Sequence, residues 1–183
     1  MSLKETIEKF YMHYREEPYT LSSGVKSNYY FNIKALLLDP HDIIRLYREF
    51  SYLITKDLMD RKLDVDDYVV AGMELGGALL TQIMVCHGND GVVIRKKQKD
   101  YGMQKRVEGD IMSQNIVIVD DVITSGKTVN EVSDYLRSDG WNILDIYCII
   151  DRSSDGSYKS LYKESDFSTS KWINKNTFNS EIS

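Results

Sequence analysis

The sequence predicts an α/β fold, a mainly parallel sheet with helices on both faces. Three observations predict it. Short, largely apolar runs recur at 68–72, 91–94, 115–119 and 143–150. Helix-patterned stretches at 76–87 and 126–139 separate several of them. Runs that are apolar at nearly every residue, not at every second one, suit strands buried on both faces. The 183 residues are 42% apolar and 28% charged, which is enough for a real core and argues against disorder. No repeat or low-complexity segment occurs. The two prolines, Pro18 and Pro40, stand in no linker-like run. One domain over 1–183 is the simplest expectation.

The elements follow in order. Leu3, Ile7, Phe10, Tyr11 and Tyr14 fall at helical spacing, with Glu5, Glu8 and Lys9 on the other face, and Pro18 is expected to end this helix. Residues 19–33 read as two extended pieces around the turn Ser22-Ser23-Gly24. Asp39 is a candidate N-cap and Pro40 a first helical residue, opening a helix whose apolar face is Ile43, Tyr47, Phe50 and Ile54. The strand–helix alternation then starts at Tyr68-Val69-Val70-Ala71-Gly72 and closes with the strand from Ile143 to Ile150.

Charge and composition exclude some functions. Acids outnumber bases 28 to 23, a net charge of −5, whereas nucleic-acid binders usually carry a basic excess. No apolar run approaches the ~18 residues of a membrane span. Met1-Ser2-Leu3-Lys4-Glu5 has no apolar signal core, so export is not expected. Cys86 and Cys148 stand in apolar stretches without a CxxC pair; they read as buried reduced thiols, which suits the cytoplasm. His13, His41 and His87 have no ligand-spaced partner and read as surface or helix-end residues.

In parallel sheets ligands collect at the carboxyl ends of the strands. The strongest signal there is Ile116-Val117-Ile118-Val119-Asp120-Asp121-Val122-Ile123-Thr124-Ser125-Gly126-Lys127-Thr128. A buried strand meets two carboxylates, then a small polar turn, then a helix. Backbone N–H groups of such a turn suit a phosphate, and the hydroxyls of Thr124, Ser125 and Thr128 add donors. It is no Walker A loop, which needs glycine at position 121, an Asp here. The acids suit ribose hydroxyls, a metal's hydration shell, or charge developing on a sugar carbon. Helix capping by solvated acids is the plainer alternative.

Four further segments accompany it. Arg95-Lys96-Lys97-Gln98-Lys99-Asp100-Tyr101-Gly102 opens a cation-rich stretch, continuing to Glu108-Gly109, that reads as a long mobile loop or a solvated charge run. Met73-Glu74-Leu75-Gly76-Gly77 joins a strand to a helix through two glycines, which allow close approach to an anion or close helix–strand packing. Ser23-Gly24-Val25-Lys26-Ser27-Asn28-Tyr29-Tyr30-Phe31 sets a lysine beside aromatic rings, and Asp151-Arg152 closes a strand with a cation able to clamp a carboxylate.

Together, over roughly residues 20–152, these segments resemble the orotate phosphoribosyltransferases. The stretch 116–128 is similar to the phosphoribosyl-pyrophosphate (PRPP) signature of type I phosphoribosyltransferases as a class. The marks at Ser23-Gly24-x-Lys26-Ser27-x-x-Tyr30-Phe31, Arg95-Lys96-x-x-Lys99-Asp100-Tyr101-Gly102, Glu108-Gly109 and Asp151-Arg152 resemble the orotate subfamily. Two positions depart from the pattern: Tyr101, where many members have His, and Leu75, where many bacterial members have a Lys that meets pyrophosphate.

The resemblance implies a type I phosphoribosyltransferase-like fold, with a small hood built from about 1–35 and the C-terminal tail. It implies transfer of the phosphoribosyl group of PRPP to orotate, giving orotidine 5′-phosphate and pyrophosphate in pyrimidine biosynthesis. Asp120, Asp121 and Lys99 are the implied catalytic residues. PRPP falls to Arg95, Lys96, Lys99, Tyr101, Asp120, Asp121, Val122, Ile123, Thr124, Ser125, Gly126, Lys127 and Thr128. Orotate falls to Lys26, Tyr30, Phe31, Thr124 and Arg152. Mg²⁺ is implied as cofactor, held mainly by PRPP and by no direct protein ligand. A cytoplasmic homodimer is implied, the loop 95–109 serving the neighbouring subunit, with neither nucleic acid nor membrane as partner. Two alternatives stay open: a purine or other nucleobase enzyme, and a non-catalytic PRPP-sensing regulator on the same fold.

Overall fold

The computed structural model describes residues 1–21, 24–95, 106–110 and 113–167. The chain opens on a short helix, α1 (Leu3–Thr6). Ser2 caps it: its hydroxyl accepts the Glu5 N–H at 3.2 Å, and the Glu5 carboxylate accepts the Ser2 N–H at 2.7 Å. A wide helical turn over Ile7–Tyr11 follows, and there the helix stops, well before Pro18. Met12–Thr20 is instead a strand, β1, paired antiparallel with β2 (Lys26–Phe31). Helical spacing misled here because Tyr14 finds its partner across the hairpin, on the Tyr29 ring at 5.2 Å. Pro18 lies where the register shifts between Tyr14 and Tyr19, so its missing N–H interrupts no regular ladder. The turn was read correctly as far as it is described: Gly24 has φ +82°, while Ser22 and Ser23 lie outside the described residues.

A helical turn that the sequence reading did not foresee follows, α2 (Ile33–Leu37). Then comes α3 (Asp42–Asp60). Asp39 does cap it: its Oδ1 accepts the N–H groups of His41 (2.9 Å) and Asp42 (3.0 Å). The regular helix nonetheless starts at Asp42, with His41 at its N-cap, so Pro40 lies in the preceding turn and is not its first residue. Its buried stripe is Leu46, Phe50, Ile54 and Leu58, spaced four apart, with Ile43 and Tyr47 at the margin. Each of these four buried side chains stabilises the fold by roughly 1.5–3 kcal/mol.

The main sheet is built from β3 (Val69–Met73), β4 (Gly91–Ile94), β5 (Val107–Glu108), β6 (Asn115–Ile123), β7 (Asn142–Asp151) and β8 (Lys159–Lys163). Their order is β5-β4-β3-β6-β7-β8, and every pair is parallel except β4 with β5. Two helices fill the crossovers, α4 (Gly76–Val85) after β3 and α5 (Lys127–Ser138) after β6. Alternation along the strands separates two cores. Val70, Val117, Val119, Tyr147 and Ile149 pack with α3, α4 and the N-terminal elements. Val69, Ala71, Ile116, Ile118 and Cys148 pack with Val129, Val132 and Leu136 of α5. A mainly parallel sheet covered on both faces is thus what forms. From β3 the chain moves toward one edge and from β6 toward the other, so β3 and β6 flank a topological switch point.

Three further expectations change. Strand β6 runs on to Ile123, because β7 continues beside it with Ile123 opposite Asp151. The carboxylates Asp120 and Asp121 are therefore inside the strand, not after it. Residues 107–108 of the expected loop are edge strand β5, and the Arg95 N–H donates to the Arg106 carbonyl at 2.9 Å. Cys148 is buried, but Cys86 is exposed at the outer end of α4.

Between α3 and the β7–β8 edge lies a half-exposed polar network. Lys159 bridges Asp57 and Asp145, both at 2.7 Å, and the Tyr147 hydroxyl donates to Asp57 at 2.6 Å. Burial would raise the Asp57 pKa, but the Lys159 ammonium and the Tyr147 hydroxyl outweigh it and hold the carboxyl below its usual value. A depressed carboxylate contributes stability above its unfolded pKa of ~3.9 and loses it as pH falls through the folded value. Asp57→Asn is therefore expected to cost about 1 kcal/mol at pH 7, a figure discounted for solvent screening. That deficit should shrink toward pH 2. Urea unfolding at both pH values checks this; an equal deficit at each would mean that the charge of Asp57 is irrelevant.

Candidate active site

At the switch point the carboxyl ends of β3 and β6 open into a cleft of about 290 Å³. One wall is Glu74, Leu75 and Gly76, between β3 and α4; the other is the continuous run 120–129. Tyr30, Phe31 and Lys34 close it from the N-terminal side, and Arg152 stands at the end of β7. A second cleft of about 560 Å³ adjoins it and shares Leu21, Thr124, Ser125 and Arg152.

Asp120 and Asp121 are successive strand residues, so they leave β6 toward opposite faces. Asp121 is 5% exposed and lies under the start of α4. A Cβ on Gly76 would collide with its carboxyl group, and a Cβ on Gly77 would collide with the Val119 carbonyl oxygen. The two glycines thus serve close helix–strand packing, and that packing brings α4 onto the carboxylate. Lys34 of α2 meets Asp121 Oδ2 at 2.7 Å. Burial alone would lower the Lys34 pKa; the Asp121 carboxylate outweighs it and holds the ammonium above its ordinary value. Asp120, half-buried, turns its Oδ1 back to accept the Asp121 N–H at 2.9 Å. Burial and the neighbouring Asp121 charge push the Asp120 carboxyl well above the usual carboxylate range.

Beyond the acids the backbone turns through 124–128 into α5. Gly126 has φ +69°, a conformation that favours glycine, and a Cβ there would strike the Tyr158 hydroxyl. The residues of this turn, at the positive end of α5, line the same cleft as the carboxylates. An anion anchored at the turn leaves its remainder beside the two acids.

The structure brings Asp120, Asp121, Val122, Ile123, Thr124, Ser125, Gly126, Lys127, Thr128, Tyr30, Phe31 and Arg152 onto one cleft. Ile123 and Phe31 are also core residues, 2% and 4% exposed. Lys26 does not line this cleft; it is exposed on the adjoining one, with Thr124 and Arg152. Arg95, at the end of β4, is engaged by Glu108 at 2.9 Å and Glu74 at 3.9 Å. Lys96, Lys99 and Tyr101 lie outside the described residues. Arg152 is nearly enclosed. It donates through Nη2 and Nε to Glu164 (2.6 and 3.1 Å) and through Nη2 to Ser27 (2.9 Å), and its guanidinium lies 5.2 Å from the Phe31 ring.

Sequence reasoning missed Lys34 and Glu164. Neither stands in a motif: Lys34 reaches the acids through a five-residue helix with no periodic signature, and Glu164 belongs to a short 3₁₀ turn after β8. The signal that was there is Asn32-Ile33-Lys34 directly after the aromatic run, a cation one turn beyond a strand end.

The family model for the phosphoribosyl transferase domain matches residues 39–178. An orotate phosphoribosyltransferase of Methanocaldococcus jannaschii is 33% identical over 148 residues, 80% of this chain and 78% of that protein. One of Methanosarcina mazei is 34% identical over 150 residues, 81% of this chain and 75% of that protein. The crystal structure of the orotate phosphoribosyltransferase from Aeropyrum pernix superposes with a TM-score of 0.72 over 90% of this chain and 95% of that one, at 22% identity, a likeness of fold. With its sequence matched to these relatives and its acid pair and anion turn on one switch-point cleft, the chain belongs to the orotate phosphoribosyltransferase family.

Proposed function

We propose that this protein transfers the phosphoribosyl group of PRPP to N1 of orotate, releasing pyrophosphate and giving orotidine 5′-phosphate for pyrimidine biosynthesis. The observation that carries the reading is the joining of Asp120 and Asp121 to the 124–128 turn on one cleft, in a chain 33% identical to a relative named for this activity. We take 1–183 as one catalytic domain in the cytoplasm; among the described residues no helix is long and apolar enough to cross a membrane.

The turn at 124–128 holds the 5′-phosphate, remote from the reacting bond, and its binding energy orients the sugar. As the C1–diphosphate bond breaks, positive charge grows on the sugar, and the Asp121 carboxylate, with Asp120 beside it, stabilises it. Arg95, Lys96 and Lys99 take the leaving diphosphate, with Tyr101 beside them. Lys26 and Arg152 neutralise orotate, Thr124 bonds its edge, and Tyr30 or Phe31 covers its ring.

Mg²⁺ fits as a companion of PRPP. Among the described residues no three His, Cys, Asp or Glu side chains cluster to cage a metal, and Asp121 is already paired with Lys34. We propose that the metal would be held mainly by PRPP, with no direct protein ligand, and would supply charge neutralisation of the leaving group. We further propose a homodimer in which the 95–109 segment serves the partner's cleft.

PRPP consumption measured side by side with orotate, uracil, hypoxanthine and xanthine tests the reading. Turnover with orotate alone is expected, since Lys26 and Arg152 are both cations and orotate alone carries a carboxylate. Turnover with a purine and not with orotate would overturn the assignment of the base; turnover with none would favour a PRPP-sensing regulator.

A further inference from the structure

We propose that Lys34 is a positioning residue for the carboxylate pair: its ammonium, delivered by α2, pins Asp121 beneath Gly76 and keeps both acids usable by the sugar. The inference rests on the phosphoribosyl-transfer reading, and it concerns the sugar end of the cleft, not the base.

Two carboxylates on neighbouring residues repel, and a carboxylate 5% exposed needs a partner. Among the described residues, Lys34 is the cation within ion-pair distance of Asp121. The other described cations on this cleft are Lys127, exposed at the start of α5, and Arg152, whose guanidinium bonds Glu164 and Ser27 on the base side of the cleft. The remaining charged and titratable groups that face the pair add no positive charge: Tyr30 of β2, Glu74 ahead of α4, and Cys148 and Asp151 of β7. Lys34 is aimed by its own short helix. Ile33, Leu36 and Leu37 are 0–3% exposed and lock α2 against the core, so the ammonium arrives from a fixed direction. Its side chain stays 40% exposed on the cleft wall, where it counters the acids without itself being buried.

Without Lys34 the repulsion between the two neighbouring acids is unrelieved. One of them takes up a proton more readily or turns away from the sugar, and in either case less negative charge meets the developing cation. Lys34→Met and Lys34→Arg test this in the full chain, assayed with whichever base the wild type consumes. In Lys34→Met, kcat is expected to fall about tenfold to a hundredfold with KM for PRPP nearly unchanged. The acid limb of kcat should move up by about one pH unit. Lys34→Arg should recover most of both. Carboxyl-carbon NMR gives a readout independent of turnover: the Lys34 charge opposes the raised pKa of Asp120, so the titration step of Asp120 should rise in Lys34→Met. If Lys34→Met fails to fold, Lys34→Gln takes its place in both measurements. A kcat within twofold of wild type, or an Asp120 that titrates alike in the wild type and in the neutral variant, overturns the proposal. A wild type that ignores orotate but uses another base overturns the orotate reading alone, since the acids serve the sugar whatever the base.

Discussion

Asp121→Asn is expected to fold like the wild type and to turn over PRPP and orotate about 10²–10³ times more slowly, the usual consequence of losing one focused electrostatic contact. Asparagine has nearly the shape of aspartate, so it fits beneath Gly76. Its amide oxygen still accepts from Lys34, and the geometry of the pair survives while the charge is lost. The cost in stability should be small, about 1 kcal/mol, because the Lys34 side chain is 40% exposed and the pair is screened by solvent. Activity and stability thus part company, and the variant reads chemistry and not folding. Initial rates with saturating PRPP, beside a thermal melt, check it. A folded variant with near wild-type rates would remove Asp121 from the mechanism.

The parts of the site legible in the sequence were those written as contiguous strings. The run from Ile116 to Thr128 carries strand, acids, turn and helix start in order, so its chemistry and its location at a strand end could be read together. The parallel sheet was legible for the same reason, since strands buried on both faces announce themselves as unbroken apolar runs. What failed was decided by partners distant in sequence. Tyr14 falls at helical spacing from Ile7, Phe10 and Tyr11, but it lies in β1 and packs on Tyr29 across a hairpin. Strand β6 looked four residues shorter because polar Asp120 and Asp121 break the apolar run, whereas β7 holds the ladder through to Ile123. The edge strand β8 has a half-buried mixed pattern, Lys159-Ser160-Leu161-Tyr162-Lys163, with no strong alternation. Lys34 and Asp121 are far apart in the chain, and no local signal joins them.

The proposed sharing of a segment between subunits has its own expected result. Mixing inactive Lys99→Ala with inactive Asp121→Asn protein is expected to restore up to about a quarter of wild-type activity. If each cleft takes its acids from one subunit and Lys99 from the other, the two substitutions damage different halves of a site. Random pairing makes about half of the dimers hybrids. In a hybrid, one cleft joins the intact Asp121 of the first chain to the intact Lys99 of the second, and the other cleft carries both lesions. One working cleft in two, in half of the dimers, is about a quarter. The sheet gives a physical reason to expect sharing. Segment 96–105 leaves and rejoins the fold where Arg95 bonds Arg106, beside the edge strand β5, on the side of β4 away from the switch point. Five extended residues out and five back would reach about 16 Å from that root, enough to meet a neighbouring molecule. Each protein alone should stay near zero, and activity should rise on mixing at the rate of subunit exchange, which light scattering of a mass-tagged chain can follow. If the chains demonstrably exchange and no activity returns, Lys99 acts within its own chain, and each cleft is complete in a single subunit.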